Sequence, residues 1–207
     1  MGGLYVRLNM FGLKKKYKEP NWEESFNTLL HAVTKSILDF TSQFPDKKVA
    51  DLFFDCEPDA GYALISYNSV ENSNNHFKEH YEERTTYIHK QVTERYDNWE
   101  DSFHSFLKRE SKSFRCGDPG YFDYQHFAEV EFPEWVEYLN QDLPNRPNYQ
   151  DDYLESRISF LFWKVLDRLI KDGAFEALST CANFRMGYCY HDQEPVTLFI
   201  INHKELE

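Results

Sequence analysis

The stretch Val49-Ala50-Asp51-Leu52-Phe53-Phe54-Asp55-Cys56, then Glu57-Pro58-Asp59-Ala60-Gly61, then Tyr62-Ala63-Leu64-Ile65-Ser66-Tyr67 decides the fold class. Two apolar, β-rich runs flank a short connection holding Pro and Gly, the pattern of an antiparallel hairpin. Leu52, Phe54 and Cys56 alternate with Asp51, Phe53 and Asp55, so the carboxylates fall on one face only. That asymmetry predicts a sheet covered by helices mainly on one side.

The flanking segments supply the helices. Trp22, Phe26, Leu29, Leu30, Val33, Ile37 and Phe40 recur at helical spacing, with Asn21 placed to cap the start and Pro45 marking the exit. Asp151–Lys171 carries a wider stripe of Leu154, Ile158, Leu161, Phe162, Val165, Leu166, Leu169 and Ile170, with Gly173 just beyond its end. Between Glu71 and Leu107, Phe77, Tyr81, Ile88, Val92, Tyr96, Trp99, Phe103 and Phe106 stand at helical intervals in a charged background, the signature of one or two helices lying over the body. Phe184–His191 and Val196–Asn202 surround the polar Asp192-Gln193-Glu194-Pro195 and read as a second hairpin. The order predicts an α+β fold over residues 1–207, a single domain in which two hairpins form an antiparallel sheet packed with several helices. Residues 1–20 read as an N-terminal arm and 110–150 as an irregular acidic-aromatic segment with a short helix at about Glu134–Leu139.

Composition narrows the function. Lys+Arg number 23 against 35 Asp+Glu, for a formal charge of −12, which argues against a nucleic-acid partner because phosphate contacts need clustered cations. No apolar run is long enough to span a bilayer, and Lys14, Lys15, Lys16 and Lys18 follow the apolar start, the reverse of a secretory signal. Val6 stands where a myristoylation signal needs Ser or Thr. Cys56, Cys116, Cys181 and Cys189 form no zinc-type pair and suit reduced core thiols. The expectation is a cytoplasmic protein with no cofactor.

Three constellations could carry chemistry. His76 and His80 lie one helical turn apart among acids and could share a Zn²⁺ in a small metal-dependent hydrolase, but Phe77 stands where the HExxH pattern needs its glutamate. Asp55, Glu57 and Asp59 alternate like cation ligands, yet an EF-hand loop counted from Asp55 meets Ala60 where Gly belongs and Ser66 where Glu belongs. Cys189 and His191, with His203 nearby, could make an activated thiolate only by converging in space. Each is more simply a solvated or core feature.

The segment from Tyr121 to Leu143 stands apart. It has six acidic residues, no Lys or Arg, and a high density of rings. Tyr121, Tyr124, Glu129, Glu131, Glu134, Trp135, Glu137 and Tyr138 are therefore the candidate partner-binding residues: rings for contact area, carboxylates to steer a basic protein. The same rings could instead serve self-association in an oligomeric adaptor.

The helix from Trp22, the hairpin through Phe53-Phe54 and Ala63-Leu64-Ile65, the Trp99 and Trp135 segments and the terminal Thr197-Leu198-Phe199-Ile200-Ile201-Asn202 together resemble small bacterial α+β proteins encoded beside polymorphic toxins as immunity proteins. The resemblance implies a non-enzymatic, cytoplasmic binder that occludes a toxin domain, with a basic toxin as its protein partner. It implies no catalytic residues.

Overall fold

The structure is a computed structural model and describes residues 18–76, 118–141, 150–191 and 193–202. The helices expected beyond residue 76, the Trp99 segment, His80 and most of the N-terminal arm lie outside the described residues.

Three helices are assigned among the described residues. α1 is Trp22–Gln43; the Asn21 side chain accepts from the Glu24 N–H at 3.3 Å while its amide donates to the Glu24 carboxylate at 3.1 Å, a reciprocal cap. α2 is Pro133–Leu139, with proline in its first turn, where a missing N–H costs nothing. α3 is Gln150–Lys171, closed by Gly173 in the left-handed region at φ 68°. A further helical segment opens at residues 70–76.

The strands are β1 (Val49–Glu57), β2 (Tyr62–Ser69), β3 (Tyr124–Glu131), β4 (Thr180–Tyr190) and β5 (Val196–Asn202), in one sheet of order β3-β2-β1-β4-β5. β1 pairs antiparallel with β2, β2 with β3, and β4 with β5. β1 and β4 are parallel, with Asp51 opposite Arg185 and Phe54 opposite Tyr188. The sheet is therefore mixed, not the purely antiparallel one expected from the sequence. Tyr124–Glu131, expected as loop or irregular strand, is an edge strand that pairs with β2.

The parallel pair has a physical reason. β1 is the central strand and is buried on both faces along most of its length, the pattern that favours a parallel neighbour. Leu52, Phe54 and Cys56 face a hydrophobic cluster shared with α1, α2 and α3, in which Phe54 stacks on Phe162 at 4.5 Å. On the opposite face Phe53 is also fully buried and meets Phe122 edge-on at 5.8 Å, because the 3-10 turn Pro119–Tyr121 and its flank fold across the sheet. Asp51 is buried there too, held by Arg185 Nε at 2.7 Å and Asn68 Nδ2 at 3.0 Å. The carboxylate that suggested a wet face is an internal ion pair.

Candidate functional site

The parallel pairing gathers one end of the sheet: the ends of β1, β3 and β4 and the start of β2 lie together, beside α2. The β1–β2 turn builds this end. Gly61 takes φ 74°, and a Cβ there would fall 2.6 Å from Val136 Cγ2 and 3.0 Å from the Phe132 carbonyl oxygen. Its carbonyl accepts from the Phe132 N–H at 2.6 Å, fastening the turn to the start of α2. Only glycine fits this position without strain.

Behind the turn, Phe132 and Trp135 stack at 4.0 Å and 9°, both buried in the core. Tyr138 is buried as well. In front, Glu129, Glu131 and Glu137 line a groove of about 460 Å³ with Ala60, Gly61, Tyr62, Pro133, Val136 and Asn140. Tyr62 hydrogen-bonds Glu57, and that bond, with partial burial and the Glu57 charge, pushes its phenol up to about 12. The bond favours the protonated phenol because the carboxylate needs its O–H.

A second recess of about 490 Å³ adjoins the first at Ala60, and Glu57, Asp59, Glu155, Tyr190 and His191 are among its lining residues. His191 Nδ1 lies 3.2 Å from Glu57 Oε1. The Tyr190 hydroxyl donates to the Glu155 carbonyl at 2.5 Å and lies 2.9 Å from Ser159 Oγ, and its burial raises the phenol well above its ordinary range. Between them the two recesses present Glu57, Asp59, Glu129, Glu131, Glu137 and Glu155, and neither is lined by a Lys or Arg. Lys18, at the rim, reaches Glu137 at 3.5 Å in an exposed pair that contributes little. Among the described residues Glu129 and Glu131 form no ion pair.

The eight residues singled out from the sequence divide accordingly. Glu129, Glu131 and Glu137 come together. Glu134 is half-buried and accepts from Ser25 Oγ at 2.9 Å, tying α2 to α1. Trp135 and Tyr138 are core residues, so they are not available as contact rings. Tyr124 packs on Phe44 and Phe40 at 4.6 and 4.9 Å, about 24 Å along β3 from Glu131 at the usual strand rise. Tyr121 is 56% exposed but sits on the opposite sheet face, its ring 5.0 Å from that of His76. Sequence reasoning did not include Tyr62, Val136, Glu155 or His191 in the site. The acidic alternation at Asp55, Glu57 and Asp59 was the available signal for the second recess.

The chemical alternatives resolve differently. His76 is the last described residue of its helical segment and His80 lies beyond it. Among the described residues no three His, Cys, Asp or Glu side chains group as a metal site would need. Asp55 is half-buried, and desolvation raises its carboxyl despite His126 Nε2 at 3.8 Å, whereas Asp59 is exposed in the turn. Cys189 is buried, and burial with the nearby Asp118 and Asp55 charges pushes its thiol up to about 11, the opposite of an activated nucleophile. No helix among the described residues is long and apolar enough to cross a membrane. No protein-family model, curated protein or solved structure matches this chain.

Proposed function

We propose that this chain is a non-enzymatic, cytoplasmic protein-binding domain that takes a basic partner on the acidic end of its sheet, as an immunity protein takes the toxin domain it blocks. The observation that carries the reading is the convergence of Glu57, Asp59, Glu129, Glu131, Glu137 and Glu155 on two adjoining recesses lined by no Lys or Arg. Such a surface accelerates encounter with a cationic partner and repels acidic ones. Tyr62, Val136 and Pro133 give the groove an apolar floor, so the contact can exclude water once formed. The rings behind it hold the backbone rigid, which keeps the ordering cost of binding low.

The test is association with the protein encoded beside this chain, measured by stopped flow at two salt concentrations. The E129K/E131K/E137K variant should slow association at least tenfold and flatten the salt dependence, because the three exposed carboxylates act mainly on the encounter rate. An unchanged rate, with the wild-type complex formed, would place the interface elsewhere. No complex and no protection of cells on co-expression would overturn the reading itself.

A further inference from the structure

The opposite edge of the sheet differs from the acidic end in every respect. β5 is an edge strand whose described neighbour is β4, and its seven residues, Val196–Asn202, include no ionisable group. Val196 and Ile200 are 42% and 54% exposed. On the helix side the apolar surface continues: Phe160 and Trp163 of α3, 53% and 41% exposed, stack at 5.7 Å and 9°, and Trp163 stacks on Phe199 at 6.3 Å. Protected sheet edges usually carry Lys, Pro or inward charges, and this strand has none of them.

Charge says which occupant suits it. Two copies of a chain with formal charge −12 repel unless they meet through a face free of carboxylates. The other edge, β3, carries Glu129 and Glu131 in exposed positions and would place like charges face to face. The β5 strand meets the requirement; on the adjoining face of α3, Asp167, one turn beyond Trp163, is paired with Lys171 at 2.7 Å, and beyond about 8 Å the remaining repulsion is screened at physiological salt.

We infer that β5 is a self-association edge, on which a second copy of this chain adds its own β5 antiparallel to form a two-fold dimer. A two-fold axis perpendicular to the sheet must pass midway between one residue and its own counterpart, since residues directly opposite in an antiparallel pair share a face. The β4–β5 register steps between Met186 and Gly187, leaving Phe199–Asn202 as the regular stretch. Ile200 is the exposed residue of that stretch, so the axis passes between Ile200 and its own counterpart, while Phe199 stands opposite Ile201 of the second copy. This arrangement keeps both α3 helices on one side of the joined sheet, with the Phe160–Trp163 shelves flanking the axis. One strand and one shelf per copy make an interface at or below about 1,200 Å², so the dimer dissociates on dilution. It does not rest on the acidic site and leaves that site open.

Sedimentation velocity of the full chain over a hundredfold dilution tests it. The mass should move from 24.8 kDa toward twice that value with concentration. Added salt should strengthen the dimer by screening like charges, the reverse of its effect on a basic partner. The I200K variant, checked for folding by circular dichroism, should associate at least tenfold more weakly. I200C should crosslink to its counterpart with a short bifunctional thiol reagent, because its two Cβ atoms would lie about 5 Å apart, just beyond the roughly 3.5–4.5 Å of a direct disulfide. A monomer at all concentrations, unlimited growth beyond the dimer, loss of the dimer in salt, an unaffected I200K dimer or an unlinked I200C dimer would each overturn the inference.

Discussion

The buried pair between Asp51 and Arg185 ties β1 to β4, the one parallel neighbour in the sheet, and its energetics can be worked from the geometry. Asp51 is fully buried; Arg185 Nε lies 2.7 Å from Oδ1 and Asn68 Nδ2 lies 3.0 Å from Oδ2. With charge centres about 4 Å apart and an effective dielectric near 20, the attraction is about 4 kcal/mol, partly offset by desolvation. Arg185→Met leaves a carboxylate in the core without its cation, which should cost about 3–5 kcal/mol. Asp51→Asn keeps the acceptor for Asn68 and leaves a guanidinium whose side chain retains 14% exposure, so about 2 kcal/mol is expected. The double variant should fall well short of the sum, with a coupling of about 3 kcal/mol. Urea unfolding at neutral pH measures all four corners of the cycle. With a slope of about 2.5 kcal/mol/M, the Arg185→Met midpoint should fall by roughly 1–2 M. A coupling below about 1 kcal/mol would show that the pair behaves as a solvated one, and the parallel pairing of β1 with β4 would lose its main polar tie.

Two further outcomes follow from local geometry. Gly187→Ala would drive a Cβ into the Val196 carbonyl oxygen and to 2.8 Å from Phe53 Cε1, so it should cost about 3 kcal/mol or more and lower the thermal midpoint; a neutral Gly187→Ala would refute the β4–β5 approach. Tyr62 should titrate near 12 by NMR of its ring carbon, and Glu57→Gln should return it toward 10. Because the folded phenol is raised, its contribution to stability is complete below about pH 10 and disappears as pH rises through 12. An ordinary Tyr62 titration in the native chain would remove the Glu57 hydrogen bond from the account.

The periodic segments were the legible part of the fold. α1 and α3 lie where Leu29, Val33, Ile37 and Phe40, then Ile158, Leu161 and Val165, placed them, because one buried helical stripe leaves one solution, and α2 covers the short helix expected at about Glu134–Leu139. The candidate site was legible only in its charge. Glu129, Glu131 and Glu137 stand out in composition as acids without cations, and the fold places all three along one groove. Trp135 and Tyr138 stand out for the same reason but are buried, since a ring's abundance in a stretch does not say which way it points.

The amino-acid sequence by itself determined the α+β class, the acidic character and the carboxylates of the outer groove, all of which depend on residue type and spacing within about twenty positions. Only the tertiary structure decided the parallel pairing of β1 with β4, the burial of Asp51 against Arg185, and the meeting of the β1–β2 turn with α2. These contacts join residues more than seventy positions apart, and their register follows from which apolar faces find cover. Local pattern carries no record of that choice. The same long-range packing set the acidic end of the sheet apart from the uncharged β5 edge.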